Sequence, residues 1–185
     1  MDERGKVMRS GVWVNGVYQK VKSVTPKEVK CVVVPSSLTS NPQTIEELKI
    51  WYNSSSDSSV TEFKLIRVIH LKRIVIGDDC FGKVRVVELD SLMELESITI
   101  GQKSFTVSKD YQAIRNSKRT DGTCRIVNCP KLKSIRVGAY SFGDYHSFEL
   151  TNLPSLESID TEYYCFCRVI SFSMISIPRM NRLNM

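Results

Sequence analysis

The chain has 185 residues, 42% hydrophobic and 25% charged, the balance of a folded globular chain rather than a disordered one. Its net charge is +6, and the excess is uneven: residues 1–44 hold seven Lys/Arg against three Asp/Glu, and the rest nineteen against seventeen. That excludes over the body of the chain the concentrated basic stripe with which a nucleic-acid binder displaces counterions, and no apolar run approaches the ~18 residues a membrane helix needs.

The N-terminus, Met1 to Lys6, is charged with no apolar stretch behind it. No signal peptide is read there, so the expected location is cytoplasmic, with export by another route as the alternative. Residues 1–44 are read as an N-terminal cap. Val12 to Tyr18 predicts a β-hairpin, because Asn15-Gly16 supplies the two positive-φ residues of a type I′ turn. Val29 to Val34 predicts a strand ended by Pro35. The basic residues of this segment are a solvated charged face or a surface for an acidic partner. Asn53-Ser54-Ser55 is a glycosylation-type triplet inside a Ser-rich loop from Asn53 to Ser59.

From residue 45 the chain repeats itself. Phe81, Phe105, Phe142 and Phe166 each follow a Cys or Ser, at intervals of 24, 37 and 24 residues. The same intervals separate Leu71, Leu95, Leu132 and Leu156, and again Ile74, Ile98, Ile135 and Ile159. Four units begin at Phe63, Val87, Cys124 and Phe148. A degenerate unit precedes them at Ile45, Leu48 and Ile50, and an incomplete one follows through Phe172, Met174, Ile177, Met180 and Leu183. The long interval is one period plus an insertion at about residues 106–122.

Apolar residues two apart, such as Ile98 and Ile100, point to one side of a strand. The spacing of Leu89, Leu92, Leu95 and Ile98 describes a tightly curving ribbon rather than a helix. Each unit therefore predicts a coil with two short strands and an apolar interior that only stacked neighbours can bury. The predicted fold is mainly β, a right-handed solenoid with parallel ladders and repeats of about 24 residues. Gly77, Gly101 and Gly138 follow the first ladder, where a turn needing positive φ is expected, with Glu162 as a departure. Pro130, Pro154 and Pro178 close the second ladder, where no backbone donor is needed.

The Leu-x-x-Ile-x-Ile core, as in Leu95-x-x-Ile98-x-Ile100, resembles the signature of leucine-rich repeats. The following Gly-x-x-(Ser/Cys)-Phe, as in Gly101-x-x-Ser104-Phe105, is most similar to the BspA-like class of parasitic protists and bacteria. The resemblance covers residues 45–185. It implies a curved solenoid with a parallel sheet on one face, used for protein recognition or adhesion. One departure is that Asp79, Lys103, Tyr140 and Tyr164 occupy the place of the family's ladder-forming Asn, so the loops must satisfy their backbone groups in another way.

The six cysteines include no Cys-x-x-Cys, and His70 and His146 complete no metal quartet. Cys80 and Cys165 alternate with Ser104 and Ser141 at one slot, while Cys124 and Cys129 fall on apolar positions. All four read as small buried residues, and Cys165 and Cys167 stand too close in sequence for an easy disulfide. His70 falls on an exposed slot. His146 lies near Asp144 without a nucleophile, so no catalytic set is seen. No metal or other cofactor and no small-molecule substrate is expected. The insertion, with Lys109, Arg115, Lys118 and Arg119 against Asp110 and Asp121, is either a functional loop or a tolerated mobile one. No polar cap follows Leu183, which predicts a truncated gene product or an end covered by a partner or by self-association.

The expected function is non-enzymatic protein–protein interaction through the sheet face. The outward residues of the predicted ladder are Arg73, Val75, Ser97, Thr99, Ser134, Arg136, Ser158 and Asp160, with Arg136 and Asp160 expected to be neighbours. The alternatives are a surface or secreted adhesin, and a nucleic-acid-binding protein using the basic N-terminus and the insertion.

Overall fold

A computed structural model describes residues 12–14, 17–21, 45–50 and 60–184, the first two segments and Ile45 by their backbone alone. The turn residues Asn15 and Gly16, the Val29–Val34 strand, Cys31, the loop from Asn53 to Ser59 and the terminal Met185 lie outside the described residues.

Among the described residues thirteen short strands form two sheets. The first sheet contains β1 (Val12–Val14), β2 (Val17–Val21), β3 (Ile45–Ile50), β5 (Arg73–Ile76), β7 (Ser97–Ile100), β9 (Ser134–Val137), β11 (Ser158–Thr161) and β13 (Arg182–Asn184), in that order. The second contains β4 (Glu62–Ile66), β6 (Val86–Asp90), β8 (Thr123–Val127), β10 (Ser147–Thr151) and β12 (Ser171–Ile175). From β4 onward every coil contributes one strand to each sheet, and both ladders are parallel from coil to coil. The predicted hairpin is β1 and β2, and β2 runs antiparallel along β3, closing one edge of the first sheet.

The register repeats the sequence alignment. Ile74, Ile98, Ile135 and Ile159 are successive partners in the first sheet, and Leu65, Leu89, Ile126 and Leu150 in the second. All eight side chains are buried between the sheets. A parallel ladder needs an apolar face on every strand. Here that need is met by stacking, since a single coil has nothing to bury its interior against. The outermost strands of the last coil, β12 and β13, carry the exposed apolar side chains Phe172, Ile175 and Leu183.

A narrow turn leads from the second sheet to the first, and a wide corner leads back. In the wide corner Phe81, Phe105, Phe142 and Phe166 form a continuous stack, with centroids 5.1, 4.8 and 5.1 Å apart. All four have positive φ, between 53° and 59°, a conformation that non-glycine residues rarely adopt. The buried stack and the bonds between corners stabilise it against that strain.

Gly101 and Gly138 do not have positive φ, contrary to the sequence expectation; close approach is what requires them. A Cβ on Gly138 would stand 2.6 Å from the carbonyl carbon of Gly101, and one on Gly101 would stand 2.6 Å from that of Gly77. Backbones of neighbouring coils touch here, and each glycine N–H bonds to the coil before it, Gly138 to Ile100 O at 2.7 Å. Glu162 stands at this slot in the last full corner; its N–H makes the same bond, to Val137 O at 2.9 Å, and its carboxylate also accepts the Ala139 N–H at 3.0 Å.

The missing Asn ladder is replaced at the next slot. The Ser104 hydroxyl accepts the Cys80 N–H (3.1 Å) and donates to Gly77 O (2.8 Å), and the Ser141 hydroxyl accepts the Ser104 N–H (3.0 Å) and donates to Gly101 O (2.7 Å). The Cys165 thiol donates to Gly138 O at 3.1 Å. A small side chain that both donates and accepts satisfies two orphan backbone groups at once, which explains why Ser and Cys alternate here. At the narrow turn the amide of Asn128 donates to Asp90 and that of Asn152 to Asn128, both at 2.9 Å. Cys124 and Cys129 lie in the core, and burial pushes the Cys129 thiol up to about 11. Cys165 is half-buried and Cys167 exposed, and none of these four is in a disulfide.

The insertion packs against the corner through a few buried residues. Thr106, Ser108 and Ile114 are buried, and a short helix α1 (Tyr111–Arg115) is capped by Asp110, which accepts the Ala113 N–H at 2.8 Å. Ile114 lies against Gly143, where any Cβ would meet it at 2.4 Å. Arg119 returns under the corner, its side chain 8% exposed, to a fully buried Asp144 at 3.3 Å. Its guanidinium also donates to Gly82 O and Val84 O and covers the ring of the buried Tyr145. Tyr145 donates its own hydroxyl to Val84 O at 2.8 Å. The detour of the second coil thus leaves a gap in the corner that Tyr145 and Arg119 fill from either side. Arg168 of the next corner donates to the Ser117 carbonyl and ties down the outer end.

Candidate recognition surface

The eight residues singled out from the sequence lie in two rows across the first sheet. One row is Glu47, Arg73, Ser97, Ser134, Ser158 and Arg182; the other is Lys49, Val75, Thr99, Arg136, Asp160 and Asn184. Arg73, Thr99 and Arg136 are exposed. Val75, Ser97, Ser134, Ser158 and Asp160 are half-buried, as side chains on a flat ladder shield one another. Arg136 and Asp160 are register neighbours. The ion pair of Asp160, however, is with Arg182 of β13, at 2.6 Å. At the other end, the buried Glu47 lies 3.1 Å from Lys49 and 3.3 Å from Arg73. Among the described residues Arg136 has no ion pair, which leaves a guanidinium standing over the sheet.

Thr99, Arg136 and Asp160 border a shallow groove of about 440 Å³ that continues past the strand ends to Asp78, Gln102 and Glu162. Asp78 is committed to the Gln102 N–H at 2.7 Å. The groove therefore opens directly onto the wide corner.

The outer face of the second sheet is different. Arg125 lies between Glu88 and Glu149, 3.2 Å from each, and Lys64 pairs with Glu62 at 2.9 Å. Both basic side chains of its strands are thus paired on the sheet itself.

The corner beside the groove carries a cluster of tyrosines that the sequence reading did not identify as a site. Tyr140 and Tyr164 follow Lys103 and Asp79 at one slot of the repeat, with φ of 64° and 60°. Asn or Gly would be relaxed there; a tyrosine is strained by about 1 kcal/mol or more. Tyr163 packs edge-on against both rings, with centroids 5.3 and 5.5 Å away, and Tyr111 of α1 lies 4.8 Å from Tyr164. Tyr163 is 60% exposed, Tyr164 43% and Tyr111 40%, while Tyr140 is half-buried. Burial pushes the Tyr140 hydroxyl above its ordinary range, and Tyr163, Tyr164 and Asp110 add to the shift. Lys109 pins the insertion across this row, 3.0 Å from Asp79 and donating to Lys103 O at 3.0 Å. The Lys103 ammonium stands 5.9 Å from the Tyr140 ring centre. The sequence did show Tyr140 and Tyr164 at one slot, but nothing in it placed Tyr111 beside them.

Among the described residues no His, Cys, Asp and Glu side chains group to hold a metal ion, and no helix is long and apolar enough to cross a membrane. His70 is exposed, as expected, and His146 is half-buried at the foot of the corner. Comparison with protein-family models, with curated proteins and with solved structures found no match in any of the three.

Proposed function

We propose that the chain is a non-enzymatic protein-recognition module of the leucine-rich-repeat type, binding a protein partner across the first sheet and over its wide corner. The observation that carries this reading is the tyrosine cluster at the rim of the groove. Tyrosines give a large rigid contact area with little side-chain entropy to lose, and they are enriched where interfaces concentrate their affinity. Asp79 and Lys103 hold the same left-handed backbone at this slot, so the turn is common to the corners, and the two later corners use it to present aromatic rings. The groove beside them supplies the polar surround that such an anchor needs.

The BspA-like resemblance implies one parallel sheet, whereas each coil here carries two. Charge favours the first: the second sheet pairs both basic side chains of its strands, and on the first Arg136 has no ion pair among the described residues. The test is quantitative capture of partners from native lysate with the intact chain. Tyr163→Ser with Tyr164→Ser, and separately Arg136→Glu with Asp160→Lys, are expected to abolish capture of a partner that Arg125→Glu on the second sheet retains. Equal capture by all three variants, each with an unchanged circular-dichroism spectrum, would remove the reading.

A further inference from the structure

We infer that the tyrosine corner takes an arginine side chain from the partner, an inference that rests on the recognition reading above and specifies its chemistry. The ring of Tyr163 stands at 86° to Tyr140 and 89° to Tyr164, while Tyr140 and Tyr164 lie within 30° of each other. The rings therefore lie in two nearly perpendicular planes, and Tyr163 is the most exposed of them. Ring faces carry negative charge density and attract cations within about 6 Å of their centres. Among the described residues this attraction is already used twice, by Lys103 over Tyr140 and by Arg119 over Tyr145.

The charges flanking the rings have the same sign. Glu162 precedes Tyr163 and Asp110 precedes Tyr111, and both carboxylates are exposed. One oxygen of each accepts a backbone N–H, from Ala139 and Ala113 respectively, which fixes both side chains in place. Asp110 lies close enough to bear on the Tyr140 hydroxyl. The lysine nearest the carboxylates in sequence, Lys109, is held by Asp79 and the Lys103 carbonyl. Arg136 belongs to the sheet floor. On a chain of net charge +6, this corner sets Asp79, Asp110 and Glu162 against Lys103 and Lys109, an excess of one carboxylate. An acidic or phosphorylated segment would meet ring faces and two carboxylates of like sign. Guanidinium suits the corner better than ammonium: it is flat, stacks on an aromatic face, sheds water readily and can still donate sideways to a carboxylate.

The experiment follows the tyrosine ring signals of the full chain by NMR during titration with the blocked peptide Gly-Ser-Arg-Gly-Ser-Arg-Gly. Matched peptides carry Lys, citrulline or Glu in place of Arg. The Tyr163 and Tyr164 signals, assigned by single substitution to Ser, are expected to shift saturably with the Arg peptide. The Lys peptide should bind weaker by about threefold, the scale of an exposed cation–π contact. The citrulline and Glu peptides should leave the signals unmoved, and the Arg peptide should fail to bind the Tyr163→Ser, Tyr164→Ser chain. Equal shifts with citrulline or Glu, or none with Arg at millimolar concentration, would overturn the inference. If these tyrosines are nevertheless required for partner capture, the recognition surface stands and only its cation chemistry falls; if they are not, both fall.

Discussion

The two outer faces of the coil come from the same repeat and share the same inward pattern, yet they are finished differently. On the second sheet Arg125 is shared by Glu88 and Glu149, and Asp90, Asn128 and Asn152 hold hands along the turn. On the first sheet Arg136 is unpaired, the middle of one row is three serines, and the strand ends run into four tyrosines. A face that has already paired its charges would have to give up those pairs to bind anything. A face with an open guanidinium and exposed rings loses little on binding. The array departs from regularity in the wide corner, where the insertion runs between the end of β7 in the first sheet and the start of β8 in the second.

The largest expected effect tests whether that corner is built or merely tolerated. Arg119→Met leaves Asp144 buried without its cation and should destabilise the fold by about 3–5 kcal/mol in urea unfolding. Pairing it with Asp144→Leu should recover much of that loss; a single variant as stable as wild type would show the insertion to be an appended loop. Next comes the shared scaffold of both faces. Gly138→Ala forces a methyl group against the Gly101 backbone and should destabilise by about 1–3 kcal/mol, measured in the same way. A smaller effect on binding alone is expected from Tyr163→Ser with Tyr164→Ser. This pair should weaken partner affinity by about 2 kcal/mol, roughly thirtyfold, with stability changed by no more than about 0.5 kcal/mol. An affinity unchanged by isothermal titration would erase the distinction between the faces. The smallest effect belongs to Arg125→Ala, whose exposed pairs should be worth less than about 1 kcal/mol of stability and nothing in affinity.

The identification of the insertion as either functional or mobile shows where sequence reading stops. Its charged residues look like a solvated loop, and most are. Arg119 is indistinguishable from Lys118 in sequence, yet its side chain is buried against Asp144, 25 residues away. Composition cannot separate two adjacent cations when only one points inward. The glycines teach the same point. Their recurrence was plain, but positive φ was the wrong reason for Gly101 and Gly138; the right one is the approach of a neighbouring coil. The Ser/Cys slot was correctly read as small and largely buried, though its hydrogen-bonding role between coils was not visible.

What the sequence determined by itself was the coil: its period, the paired strands, the inward positions from Leu65 to Ile159, the hairpin, and the neighbours Arg136 and Asp160. These follow from hydrophobic spacing repeated at a fixed interval, which is local information multiplied by the number of copies. What only the tertiary structure decided was everything set by the distance between coils. That includes the contact that requires glycine, the serine hydroxyls that bridge corners, the buried partner of Arg119, and the meeting of Tyr111 with Tyr164. A repeat specifies which residues share a row. Only the stacked coils, about 4.8 Å apart, specify which rows touch and which side chains are left to face a partner.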